Sequence, residues 1–242
     1  MSEKITSLKN PKIVHVRKLI QDKKYREECG EFVVEGQKFI NEIPKEQISY
    51  ILLNTKAKRQ GFAFEYSVQD TILNKVSDTE TSQGIIAVVK QPKYSLNDIK
   101  PGKWIIVEGI QDPGNLGTII RTIEAAGAQG VIYTNGTVDP YSPKVVRSSA
   151  GSALRIPIIK VKNIEAVKKS CPDMKLIATV ITGGKDYKTA DYSSNCGIIL
   201  GSEGQGLLEK TLAIVDEKVS IPLKGKTESL NVASTAAILL FR

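Results

Sequence analysis

The chain has 242 residues, 41% hydrophobic and 25% charged, and a net charge of +8. That is enough apolar material for a real core, in one large domain or two small ones. No apolar run reaches the roughly 18 residues of a membrane span, and the opening MSEKITSLKN has no signal-peptide apolar stretch. Cys29, Cys171 and Cys196 are too few and too scattered for a disulfide framework or a zinc site. The expectation is a cytoplasmic protein with no membrane and no metal.

Residues 1–26 carry eight basic side chains against two acidic ones, a local net charge of +6. On a helix, Lys9, Lys12, Arg17, Lys18 and Lys24 suit phosphate neutralisation and counterion release, so they are candidate nucleic-acid contacts. EFVVEGQKFINEI then reads as a strand, Gly36 and a helix, and SYILLNT and GIIAVVK as short buried strands. Together these predict a small α/β domain over residues 1–92. QPKYSLNDIKPGK has two prolines, a glycine and no periodicity, and reads as a linker over 93–103.

Residues 104–242 alternate strands and helices. WIIVEG is a strand, and NLGTIIRTIEAAG is a helix opened by Asn115 and closed by Gly127. GVIYT, RIPIIKV, KLIATVIT, GIILG and EKVSIPL follow as strands, and the chain closes on a helix over its last eleven residues or so. This order predicts a parallel sheet covered on both faces. Ligands of such sheets gather at the carboxyl ends of the strands. Three loops there stand out: VEGIQDPGNLGTIIRT, ILGSEGQGL with three glycines around Glu203, and IPLKGKTESLN. The last crowds Glu228, Ser229 and Asn231 around Leu230. Capping alone would ask for one such residue, since one side-chain oxygen satisfies one helix start.

Familiar chemistries fall away. Gly201, Gly204 and Gly206 give G-x-x-G-x-G, not the dinucleotide fingerprint. GKT at 225–227 imitates the end of a phosphate loop, but the first glycine of that motif would fall on Ser220. The single histidine, His15, lies in the basic opening segment, so no Ser-His-Asp arrangement belongs to the second half. No cysteine has a neighbouring base in sequence.

The three loops, in order and with their separations, resemble the three motifs of the SpoU (TrmH-like) RNA ribose methyltransferases of the SPOUT class. DPGNLGTIIRTIEAAG is similar to the first, IILGSEGQGL to the second and IPLKGKTESLNVASTAA to the third. DPYSPKVVRSSAGSALRIPI, between the first two, also resembles the family. Residues 1–90 resemble its substrate-binding domain, an α/β module similar to RNA-binding ribosomal proteins. One departure is Leu223, where the family commonly has Met.

The resemblance implies a parallel-sheet domain with a C-terminal trefoil knot, a homodimer formed through that domain, and S-adenosylmethionine as cofactor. It implies methyl transfer to a ribose 2′-hydroxyl of structured RNA, with large-subunit ribosomal RNA the expected substrate. It places Asn115, Arg121, Glu203, Ser229 and Asn231 at the reaction centre, and Gly201, Gly206, Ile221, Leu223 and Leu230 around the cofactor. A guanidinium stays protonated at ordinary pH, so Arg121 suits phosphate orientation and stabilisation of a developing alkoxide. Ser229 or a bound phosphate would then relay the proton. Glu203 has two open roles, orienting Arg121 or holding its loop. Two other functions remain: methylation of an RNA base by the same fold, and a non-catalytic RNA-binding assembly protein.

Overall fold

A computed structural model describes residues 4–58, 60–79, 82–192 and 195–242. The chain divides into two compact units. One runs to Pro92 and takes in Tyr141–Val146; the other holds Lys93–Pro140 and Arg147–Arg242.

The first unit is a five-stranded mixed sheet with helices α1 (Pro11–Gln21), α2 (Lys23–Cys29), α3 (Gln37–Ile40) and α4 (Asp70–Val76). Its strands are β1 (Lys4–Ile5), β2 (Glu31–Glu35), β3 (Ile48–Asn54), β4 (Glu65–Val68) and β5 (Ile85–Lys90), in the order β1-β4-β3-β5-β2. Helix α1 starts where Asn10 accepts from the Lys12 N–H at 3.0 Å, with Pro11 at the first helical position. It buries Ile13, Val16 and Leu19 in one cluster with Val33, Leu52, Ile86 and Val88. Asp22 ends α1 and caps α2 through Tyr25 N.

The second unit is a seven-stranded sheet, every pairing parallel, in the order β10-β12-β9-β11-β6-β7-β8. The strands are β6 (Lys103–Glu108), β7 (Gly130–Thr134), β8 (Ile158–Val161), β9 (Lys175–Thr179), β10 (Lys185–Asp186), β11 (Cys196–Gly201) and β12 (Glu217–Ser220). Helices α5 (Pro113–Ala125), α7 (Ile164–Ser170), α8 (Glu209–Leu212) and α9 (Val232–Leu240) lie between and after them, whereas α6 (Pro143–Ser148) begins in the Tyr141–Val146 segment of the first unit. The central strands are continuous apolar runs because helices cover them, and Trp104, Ile106, Ile132, Ile159 and Ile199 share one core. Helix α5 packs against α9, each through its apolar stripe: Leu116, Ile119, Ile120 and Ile123 on one, Ala233, Ala236, Leu239 and Leu240 on the other.

One sequence expectation needs adjusting. Asp112, not Asn115, opens α5: its carboxylate accepts from Asn115 N at 2.8 Å, which puts Asn115 in the first turn. Gly127 follows the helix at φ +68°. The stretch read as a linker contains a 3-10 turn, Leu96–Asp98, with Ser95 and Asp98 capping each other. The Ser95 backbone N–H, reinforced by its hydroxyl, holds the Asp98 carboxyl below its usual range. Leu96 and Ile99 pack on the second unit's core.

Candidate active site

Past the carboxyl ends of β9, β11 and β12 lies a cavity of about 390 Å³, within the usual range of small-ligand sites. Its walls come from Thr179–Ile181, Gly201–Gly206, Ile221, Leu223 and Ser229–Val232, closed by Thr235 and Leu239 of α9. Eight of the ten residues named above for chemistry or cofactor line it: Glu203, Ser229, Asn231, Gly201, Gly206, Ile221, Leu223 and Leu230. Asn115 and Arg121 do not.

The second loop owes its shape to its own backbone and to one buried carboxylate. Ser202 and Gly206 exchange both backbone hydrogen bonds, at 3.1 and 2.9 Å. A Cβ on Gly201 would stand 2.4 Å from the Gly206 carbonyl carbon, so a glycine here admits the loop's own backbone. Gly206 has φ +66°, open to glycine at little strain. Where the loop ends, Glu108 at the tip of β6 accepts from Leu208 N at 3.0 Å and from Thr211 Oγ1 at 2.8 Å. Glu108 is buried, so it fixes the loop's exit from inside the fold.

Asn115 joins the loops. Its Nδ2 donates to Glu203 Oε1 at 2.6 Å, and its Oδ1 accepts from Asn231 Nδ2 at 2.9 Å. Asn231 Oδ1 in turn accepts from the N–H groups of Ala233 and Ser234. Asn231 is therefore both the cap of α9 and a member of the site. Capping in TESLN thus falls to Asn231 alone. Ser229 and Leu230 precede the helix, and Ser229 Oγ has no hydrogen bond among the described residues although it borders the cavity. Glu203 holds Asn115 and makes no ion pair with Arg121. Six residues further along α5, at about 100° per residue, Arg121 emerges about 120° around the helix from Asn115. It is exposed, with no hydrogen bond or ion pair among the described residues.

Sequence reasoning missed Glu108, Thr179–Ile181 and Thr235. Only Glu108 left a trace, a carboxylate at the end of an otherwise apolar strand. In the first unit Lys9, Arg17, Lys18 and Lys24 are exposed and Lys12 half-buried; Lys24 pairs with Glu28 at 3.7 Å. Arg26, counted in the basic segment, is buried and donates to the carbonyls of Leu19 and Ile20, so it ties α2 to the end of α1.

A parallel sheet whose strand-end loops close over a small-ligand cavity defines an α/β protein that binds a compact molecule beside exposed polar groups. Residues 103–241 match the model of the SpoU rRNA Methylase family, and residues 10–87 match the MRM3-like substrate binding domain. The chain belongs to the SpoU rRNA methylase family. It is 33% identical over 248 residues to the 23S rRNA (guanosine(2553)-2'-O)-methyltransferase RlmP of Bacillus subtilis, covering 99% of this chain and 98% of that protein. An AdoMet-bound rRNA methyltransferase from Sinorhizobium meliloti is similar at TM-score 0.89 and 30% identity, covering 99% and 96%. The SpoU methyltransferase AviRb of Streptomyces viridochromogenes, in complex with AdoMet, is similar at TM-score 0.87 and 25% identity, covering 96% of each chain.

The cavity suits such a ligand. Val219, Ile221, Leu223, Leu230 and Leu239 give apolar walls for an adenine ring, the glycine loop offers backbone groups, and Glu203 adds a carboxylate. Among the described residues, no three His, Cys, Asp or Glu side chains come together as metal ligands.

Proposed function

We propose that this chain transfers a methyl group from S-adenosylmethionine to a ribose 2′-hydroxyl of ribosomal RNA, with the large-subunit RNA as its substrate. The observation that carries the reading is the closure of three separate loops into one cavity through Asn115, Glu203 and Asn231. Relatives named as 23S rRNA 2'-O-methyltransferases support the choice of ribose and of RNA.

S-adenosylmethionine, when bound, supplies a methyl group already activated on a sulfonium. The chain's own task is to align the acceptor and ease loss of its proton. Ile221, Leu223 and Leu230 hold the adenine. Ser229, with a free hydroxyl at the cavity, receives the ribose 2′-hydroxyl and relays its proton, to a bound phosphate or to water. Arg121 orients an RNA phosphate and steadies the oxygen as it gains charge. Asn115 and Asn231 have both ends of their amides engaged, so they position the loops instead of touching substrate.

Residues 1–92 bind RNA, 93–103 connect, and 104–242 carry the reaction. The C-terminal domain forms a homodimer and its last stretch threads through a loop as a knot. An exposed, unpartnered Arg121 turned away from its own Glu203 fits a site completed by a second copy. No helix among the described residues is long and apolar enough to cross a membrane, and the reading places the protein in the cytoplasm with its RNA. The test is a map of 2′-O-methylated positions in ribosomal RNA from cells with and without the gene. One position should disappear with the gene and return with the wild-type copy; an unchanged map refutes the assignment.

A further inference from the structure

The first unit carries an ordered row of rings that the basic charge alone did not reveal. Tyr66 of β4, Tyr50 of β3, His15 of α1 and Tyr25 of α2 follow one another, with ring centroids 6.0, 6.3 and 5.5 Å apart. Each ring is half-buried, and the three tyrosines pack on the core. Above the row stand two ammonium groups. Lys12 Nζ lies 4.3 Å from the Tyr66 ring centre and 5.2 Å from that of Tyr50, and Lys18 Nζ lies 5.1 Å from that of Tyr25. Lys12, His15 and Lys18 are spaced by three on α1, so one helix face presents all three.

Neither lysine forms an ion pair among the described residues. The carboxylate that enters the row, Glu31, is occupied by His15 Nε2 at 2.9 Å and by the Ser49 hydroxyl. His15 Nδ1 meets the Tyr25 hydroxyl at 2.8 Å, and the Tyr50 hydroxyl donates to the Lys12 carbonyl at 3.2 Å, so the rings are fixed in place. Two ammonium groups with no ion pair among the described residues, interleaved with half-exposed rings, match one kind of ligand: an anionic chain bearing planar groups.

We propose that the row Tyr66–Tyr50–His15–Tyr25, with Lys12 and Lys18, is a docking strip for a single-stranded segment of the RNA substrate. Phosphates meet the two ammonium groups and at least one unpaired base stacks on the Tyr66 end. Duplex RNA offers phosphates but keeps its base faces covered, so it cannot use the rings. The strip rests on the reading of the protein as an RNA methyltransferase and adds which surface selects which form of RNA. It divides the basic residues: Lys12 and Lys18 belong to the strip, whereas Lys9, Arg17 and Lys24 make no ring contact.

The test uses the full chain, a fluorescein-labelled single-stranded RNA decamer and the matching duplex, followed by anisotropy against salt. Lys12→Gln with Lys18→Gln should weaken single-strand binding at least tenfold. It should also reduce the log–log salt slope by about 1.4, at about 0.7 per phosphate on single strands. Tyr66→Leu should weaken binding about tenfold with the slope unchanged, because stacking releases no counterions. Tyr66→Phe keeps the ring and should bind as wild type, and Lys38→Gln, an exposed lysine outside the row, should do nothing. Should Tyr66→Leu fail to fold, the surface lysine pair still decides. Wild-type affinity and slope in that double variant overturn the proposal, as does a duplex that binds more tightly than the single strand through the same residues. Methyl transfer to ribosomal RNA is measured in parallel. Active wild type with insensitive variants sinks only the strip, whereas wild type that neither binds nor methylates RNA sinks the methyltransferase reading as well.

Discussion

Asn231 uses the two ends of one amide for two tasks, and the division is directional. Its oxygen must face the two N–H groups of α9, so its NH₂ faces Asn115 Oδ1, which leaves the Asn115 NH₂ for Glu203. Replacing Asn231 by Asp keeps a good cap but sets oxygen against oxygen at Asn115. If Asn115 then turns over, its oxygen meets the Glu203 carboxylate. Asn231→Asp should therefore leave stability within about 0.5 kcal/mol, while kcat falls tenfold or more, about 1.4 kcal/mol of barrier. Thermal melting beside steady-state methylation checks both halves, and an unchanged kcat would show that the amide chain is only a cap. Glu108→Gln takes an acceptor from one of its two donors, the Leu208 N–H and the buried Thr211 hydroxyl, so it should cost about 1–3 kcal/mol of stability and weaken cofactor binding in calorimetry. The residue types of this chain were legible in TESLN and in Glu203. Their partners were not, because Asn115, Glu203 and Asn231 lie 88 and 116 positions apart and only the fold brings them together.

Among the elements, long buried strands were the easiest to read, since covered parallel strands are continuous apolar runs. The same property hid where they end. KLIATVIT and EKVSIPL read as strands to their last residues, but β9 stops at Thr179 and β12 at Ser220. The apolar residues beyond, Ile181, Ile221 and Leu223, turn away to wall the cavity; apolar character alone does not tell a sheet from a pocket. Strand β4 and helix α4 were missed because four and seven residues hold too few periods to register. The glycine loop gives a sharp prediction. Gly201→Ala drives a methyl into the Gly206 backbone, so S-adenosylmethionine affinity should fall at least tenfold, and a wild-type dissociation constant would mean the loop shifts freely. At the sheet edge, Glu217 of β12 bonds Lys175 at 2.6 Å and Lys185 at 2.9 Å, and Lys175 foremost holds its carboxyl below the usual range. A depressed carboxylate stabilises the fold above the unfolded value of about 4.3 and loses that contribution as pH falls through the lower folded value. Glu217→Gln should lose about 1 kcal/mol at pH 7, discounted for water reaching both lysines. The difference from wild type should start to shrink as pH falls below about 4.3 and disappear only once pH is under the depressed folded value; a gap that does not shrink at all would assign it to packing.

At the scale of the molecule, residues 10–87 match a substrate binding domain and 103–241 the SpoU methylase family. Composition and the local charge of residues 1–26 pointed to RNA, and the three loops in order pointed to the family. The ring row of the first unit was invisible because Tyr25, Tyr50 and Tyr66 come from three different elements. If Arg121 acts across a dimer, Arg121→Ala mixed with Ser229→Ala should recover activity in the hybrid, where one of the two sites keeps both groups. A monomer in sedimentation at micromolar concentration would refute that. Ribose methylation by this cavity is tested by incubating the purified chain with S-adenosylmethionine and unmodified large-subunit ribosomal RNA, digesting the RNA to nucleosides and separating them by mass. A 2′-O-methylated nucleoside should form with wild type and fall at least a hundredfold with Arg121→Ala. A methyl group on a base, or no transfer at all, would contradict it.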